Sequence, residues 1–230
     1  MPRKRSTDMS TPPVYITAPA RERAPAIVLL PPIFGLEPAI LQLADRYAQR
    51  GFLTLAVNQF WREPETRVMG RDAVERPRAL ERAGKVDVER IIDDVGIVID
   101  RARAHDGCDG RVAVLGICFG GRYAFMSAAR HRIGAAGAFH GTQIGLELDE
   151  GPRVACPLSF HFGALDIQTP PDEIAAIRRV TAHRADAEIV VHDGADHNFA
   201  VPGHPAFNPD IAARAESAVL ALFAAMPAYR

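Results

Sequence analysis

The chain has 230 residues, 48% of them hydrophobic and 24% charged, and 27 Lys and Arg against 28 Asp and Glu leave a formal net charge of −1. That balance excludes a fibre, a disordered tail and the basic footprint of a nucleic-acid binder, and it favours a small-molecule partner. A chain of this length buries about 70% of its unfolded surface on folding, so neither a disulfide nor a structural metal is required.

Residues 1–11 are expected to form a flexible N-terminus, and residues 12–230 a single α/β domain. The start is basic, but no apolar segment of the kind found in a signal peptide follows it. The three cysteines, Cys108, Cys118 and Cys156, are odd in number and wrongly spaced for zinc. Reduced thiols and a cytoplasmic location are therefore expected. The longest apolar stretch, residues 26–36, contains Pro31 and Pro32 and falls well short of the ~20 residues that cross a bilayer.

In chain order, strands are predicted over residues 14–17 and 26–30. A helix then starts with Pro38 in its first turn and runs to about Arg50, with Gly51 as its stop. A strand over 53–57 follows. Residues 59–84, rich in Arg and Glu and poor in apolar periodicity, predict a long surface connection or a lid. Residues 87–104 carry an apolar stripe of Val88, Ile91, Ile92, Val95, Val98 and Ile99, which predicts a helix. Strands over 112–115, 135–139, 158–162 and 188–192 and helices over 172–183 and 209–226 complete the pattern. Several strands are too uniformly apolar to be half exposed, which predicts a mostly parallel twisted sheet with helices on both faces.

The segment running from Arg111 to Phe125 carries the chemistry. An apolar strand runs into Gly116-Ile-Cys118-Phe-Gly120-Gly121 and then into a segment able to form a helix. This is the nucleophile-elbow pattern with Cys in place of Ser. A nucleophile on so sharp a turn leaves no room for side chains two residues before and after it, which Gly116 and Gly120 satisfy. The turn also holds Cys118 near a helix N-terminus, where a thiolate is favoured.

Partners for the sulfur follow in the order acid, then histidine. Asp166 lies just past the strand 158–162, and His197 just past the strand 188–192. Asp193 and Asp196 are so near His197 that they are expected to shape its turn. Of the seven other histidines, His140 and His204 are lesser candidates for a pocket, and His105, His131, His161, His183 and His192 are expected to be structural or solvated. An oxyanion hole needs two backbone N–H donors. Phe119 follows the nucleophile, and Ile33 is the first residue after Pro31 and Pro32 that can donate.

These residues resemble the dienelactone hydrolase family: Ile33-Phe34-Gly35, Gly116-x-Cys118-x-Gly120-Gly121, Gly163-x-x-Asp166 and His197-x-Phe199 occur in that family's order and spacing. The resemblance covers roughly residues 12–225. It implies an α/β-hydrolase fold, a Cys118–Asp166–His197 triad, no cofactor or metal, and hydrolysis of an ester or enol-lactone through a thioester. It also implies Phe34 and Phe199 beside the substrate, with Arg78 or Arg82 as a carboxylate-binding arginine. Three positions depart from the family pattern: Pro32 replaces a glutamate, Val201 replaces a second arginine, and Ile117 replaces a tyrosine. A substrate other than the dienelactone itself is expected. Two other classes share parts of the pattern: a noncatalytic small-molecule-binding protein on a hydrolase scaffold, and a thiol redox sensor, for which Cys118 lacks a nearby resolving cysteine.

Overall fold

A computed structural model of the chain describes residues 11–227. The expected flexible segment therefore lies, apart from Thr11, outside the described residues. Seven strands form one sheet in the order β1 (Val14–Thr17), β3 (Leu53–Val57), β2 (Ala24–Leu30), β4 (Cys108–Ile117), β5 (Ala135–Phe139), β6 (Leu158–Gly163) and β7 (Ala187–His192). β1 pairs antiparallel with β3, and every other pairing is parallel. The inner strands β2, β3, β5 and β6 are buried at every position, whereas the edge strands β1 and β7 are partly open. That contrast is what a parallel sheet covered on both sides requires.

The pleat fixes which helix lies on which face. Gly137 and Ala138 are consecutive in β5, so their side-chain directions are opposed. A Cβ on Gly137 would meet Val219 and Phe223 of α6 (Pro209–Ala224). Ala138 pairs with Phe160, whose ring meets Phe125 of α4 (Gly120–Arg130) edge to face. So α6 covers one face and α4 the other. α3 (Val88–Ala104) packs beside α4, and α1 (Pro38–Gln49) is tied to α6 by the Arg46–Glu216 ion pair. α5 (Pro171–Thr181) packs on β7. Because β2 and β4 to β7 run the same way, their C-terminal ends open on one edge of the sheet, and the loops that follow converge there. No helix among the described residues is long and apolar enough to cross a membrane.

One expectation needs correction. The charged stretch 59–84 is not a surface connection throughout, because Glu75–Lys85 forms a helix, α2. Its inward positions are Ala79, Arg82 and Ala83, so no run of large aliphatics marks it in the sequence. The irregular part before it is pinned rather than loose. Phe60 is fully buried, and Trp61 Nε1 and the Arg62 guanidinium both donate to the buried carboxylate of Asp94 on α3. A second unanticipated element, a 3-10 helix over Ile144–Arg153, packs against α4 and α5.

Candidate active site

Cys118 stands where β4 gives way to α4, with a positive φ of 53°. Its backbone N–H donates to Phe139 O, and its carbonyl accepts from Gly121 and Thr142 N–H. The glycines around it are a spatial necessity. A Cβ on Gly116 would lie 2.2 Å from Gly120 O, one on Gly120 would lie 2.3 Å from Leu30 O, and one on Gly121 would lie 2.4 Å from Gly141 Cα. All three obstructions are backbone, so no rotamer change relieves them. The bend thus presses α4 against the ends of β2, β4 and β5 and leaves the sulfur at the head of the helix.

The loops after β6 and β7 bring the other two groups to that sulfur. His197 Nε2 is 3.2 Å from Cys118 Sγ, and His197 Nδ1 is 2.7 Å from Asp166 Oδ2. The second carboxylate oxygen, Asp166 Oδ1, accepts from Gln168 N–H, which fixes the carboxylate plane. Gly163 allows the two loops to meet, because a Cβ there would lie 2.4 Å from Ala195 O. Asp196, as expected, shapes the histidine's turn by accepting the His197 N–H at 2.6 Å. All three groups are buried, with Cys118 and His197 each 7% exposed. Burial opposes the imidazolium, but hydrogen bonds to Asp166 and Cys118 and their charges outweigh it, lifting His197 to about 9.

The loop after β2 runs beside this group. Gly35 closes a tight turn by donating to Pro32 O. The backbone N–H groups of Ile33 and Phe119 donate to no acceptor among the described residues. The Ile33 carbonyl, by contrast, accepts at 2.7 Å from Arg82 Nη2, while Nη1 donates to Glu65 O and Arg67 O and the guanidinium stacks 3.9 Å from the Phe60 ring centre. Arg82 therefore braces the loop with both terminal nitrogens, while its buried Nε has no hydrogen-bond partner among the described residues. Arg78 is paired with Glu65 and Glu75.

Phe34 and Phe199 are both buried. Phe34 lies under the guanidinium of Arg71, 4.3 Å from its ring centre, and Phe199 packs against the rings of Phe139, His140 and His192. Arg71 carried no sequence signal of its own. It makes two hydrogen bonds to Glu37 at the head of α1 and a third, at 3.3 Å, to Asn198 beside His197. It joins three segments distant in sequence, two of which are also linked by the Met69 N–H donating to Phe34 O. His140, at the end of β5, is fully buried with φ 40°, and its ring lies 4.7 Å from that of His197. Neither His140 ring nitrogen has a hydrogen-bond partner among the described residues. Burial, then the charges of His197 and Arg71, push it well below 6.5, so the ring is neutral.

A covered parallel sheet with a cysteine on the bend after its central strand, and an acid and a histidine on later strand-end loops, is an α/β-hydrolase. The model of the dienelactone hydrolase family matches residues 13–226, and the chain belongs to that family. Carboxymethylenebutenolidase of Pseudomonas sp. (strain P51) is 28% identical over 214 residues, spanning 92% of this chain and 89% of the relative. Carboxymethylenebutenolidase 1 of Cupriavidus pinatubonensis (strain JMP 134 / LMG 1197) is 31% identical over 153 residues, 66% of this chain and 65% of the relative. A crystal structure of a candidate dienelactone hydrolase from Klebsiella pneumoniae subsp. pneumoniae MGH 78578 superposes with a TM-score of 0.84 at 27% identity, covering 93% of both chains.

Proposed function

We propose that the protein hydrolyses an ester or lactone through a thioester on Cys118, with His197 as proton carrier, Asp166 as its orienting acid and the N–H groups of Ile33 and Phe119 as the oxyanion hole. The observation that carries this reading is the unbroken relay from Sγ through both ring nitrogens of His197 to Asp166 Oδ2. His197, lifted to about 9, is the group that holds the proton of the Cys118–His197 pair as the sulfur attacks. The sulfur forms a bond to the acyl carbon, and negative charge moves onto the carbonyl oxygen, which the two N–H groups receive. Collapse expels the alkoxide or enolate, which takes the proton from His197 Nε2. A water then attacks the thioester as His197 accepts its proton, and the sulfur leaves. Stabilised leaving groups suit this site better than amides.

The substrate differs from that of the named relatives, in this reading, at Pro32, Ile117 and Val201, while Phe34 and Phe199 remain as apolar walls. Arg71, Arg78 and Arg82 each spend their guanidinium on internal acceptors. A neutral ester or lactone therefore fits better than one that needs a free arginine for its carboxylate. A panel of neutral and carboxylate-bearing esters and lactones tests this. Neutral members are expected to give the higher kcat/KM, and Cys118→Ala is expected to lose at least ~10⁴-fold in kcat. Unchanged turnover in Cys118→Ala would remove the mechanism, and a strong preference for the carboxylate series would remove the substrate reading.

A further inference from the structure

The relay leaves one group unused. His140 offers an unpartnered, neutral imidazole, completely buried, against the ring of His197. Its nearest ligating nitrogen, Cys118 Sγ and a nitrogen of His197 all lie within 4.8 Å of one another. A buried polar ring without a hydrogen bond carries a desolvation penalty, which a ligand in the space between these atoms would relieve. We infer that Cys118, His140 and His197 form a site for a soft divalent cation of the zinc type, which holds the reacting sulfur in competition with substrate.

Three arguments support the ion over a neutral occupant. The donor set is one sulfur and two imidazoles, the kind that three-ligand zinc sites use while leaving a fourth position open. Metal–sulfur and metal–nitrogen bonds of about 2.3 and 2.0–2.1 Å put tetrahedral donors roughly 3.3–3.6 Å apart, so the 3.2 Å already present between Sγ and His197 Nε2 needs only a small expansion. The surroundings also fit. Asp166 accepts from Nδ1, so Nε2 is the nitrogen turned to the ion, and a carboxylate behind a ligating histidine is the outer hydrogen bond such sites use. A thiolate on Cys118 and the carboxylate of Asp166 supply two negative charges against the two positive charges of the ion. Arg71, whose positive charge acts against a cation at His140, is itself paired with Glu37.

Proton balance follows. The ion takes one lone pair from sulfur and one from a nitrogen of each histidine. Cys118 and His197 share a single proton on the Sγ–Nε2 axis, and that proton leaves to solvent. Nδ1 keeps its hydrogen on Asp166, and neutral His140 releases nothing when it binds through its free lone pair. One proton is therefore released per ion.

The test is an optical titration of the reduced, metal-free protein with Co²⁺, which reads the site without turnover and so is independent of the hydrolase reading. The expected result is one tetrahedral cobalt per chain with a thiolate-to-cobalt charge-transfer band, displaced by Zn²⁺. Cys118→Ser should abolish the band. His140→Gln should weaken binding by more than about 100-fold, beyond the ~10–100-fold that loss of an outer hydrogen-bond partner costs. His192→Gln, outside the donor set, should leave the spectrum unchanged. In the unsubstituted protein, Zn²⁺ should shift the ring-nitrogen NMR signals of both His140 and His197, a readout that needs no variant to fold. An octahedral spectrum without the band, undiminished affinity in folded His140→Gln, or a shift of His197 alone would overturn the assignment.

Discussion

Cys118 occupies backbone space that costs a non-glycine residue about 1–3 kcal/mol, and the surrounding hydrogen bonds to Phe139, Gly121 and Thr142 hold it there. The same crowding that makes Gly116, Gly120 and Gly121 obligatory aims the sulfur at His197. This much of the site was legible in the sequence because the Gly-x-Cys-x-Gly pattern at a strand end is followed, in order, by Asp166 and His197 just past later strands. Arg71 was not legible, since its partners Glu37 and Asn198 come from segments that only the fold brings together. The free ring of His140 was hidden for the same reason. It was a lesser pocket candidate by position alone, and only the packing shows both its nitrogens unpartnered. Against the effect of burial, the hydrogen bond to Asp166, followed by the hydrogen bond to Cys118 and the charges of both, raises His197. In the proposed mechanism the proton on His197 goes to the leaving group, so kcat/KM should fall as pH rises through about 9. Asp166→Asn removes the charge and the correct tautomer, and it should move this alkaline limb to lower pH while reducing kcat by up to ~10⁴-fold. A pH–rate profile whose alkaline limb stays in place in the variant would break the link between Asp166 and His197.

The strands were readable because both faces are covered, which buries β2, β3, β5 and β6 at every position and leaves only Thr54, Ser159 and His161 as polar interruptions of their apolar runs. α3 was readable for the complementary reason, an apolar stripe ahead of which Asp87 caps the helix by accepting from Arg90 N–H. α2 escaped because its inward face carries alanines and a buried arginine, and its outward face carries ion pairs such as Lys85 with Glu81. Yet α2 matters to the site, since Arg82 reaches from it to the Ile33 carbonyl. One interior glycine weakens it. Gly84 lies inside the helix with nothing within 4 Å of a built Cβ. Gly84→Ala should therefore stabilise the fold by about 0.5–1 kcal/mol in urea unfolding and leave turnover intact. Gly96→Ala in α3 should instead destabilise, because its Cβ would lie 2.8 Å from the His131 ring. Equal effects at the two sites would show that the packing described around these helices is wrong.

Across the whole molecule, histidines shifted in opposite directions make stability depend on pH, His140 and His161 being lowered and His197 raised. His161 in β6 hydrogen-bonds Ser159 and His192, and burial followed by the charge of His192 lowers it from 6.5 to about 4. Between those values the unfolded chain binds a proton that the folded chain refuses. Its contribution is complete above pH 6.5 and is lost as pH falls toward about 4. His197 acts in the opposite sense. Its raised value adds stability below pH 6.5 that disappears as pH climbs through about 9. Urea midpoints should accordingly peak near pH 6.5 and fall on both sides, and His161→Gln should flatten the acid side. An acid limb of unchanged slope in that variant would place its origin elsewhere.

The central claim is that the acyl group passes through the sulfur of residue 118. Rapid quenching of an activated ester with stoichiometric protein, followed by peptide mass spectrometry, tests it most directly. The account predicts a transient mass gain equal to the acyl group on the peptide containing Cys118, formed within the first turnover and absent in Cys118→Ala. Multiple turnovers with that peptide unmodified throughout, or an acyl group carried on another residue, would contradict it.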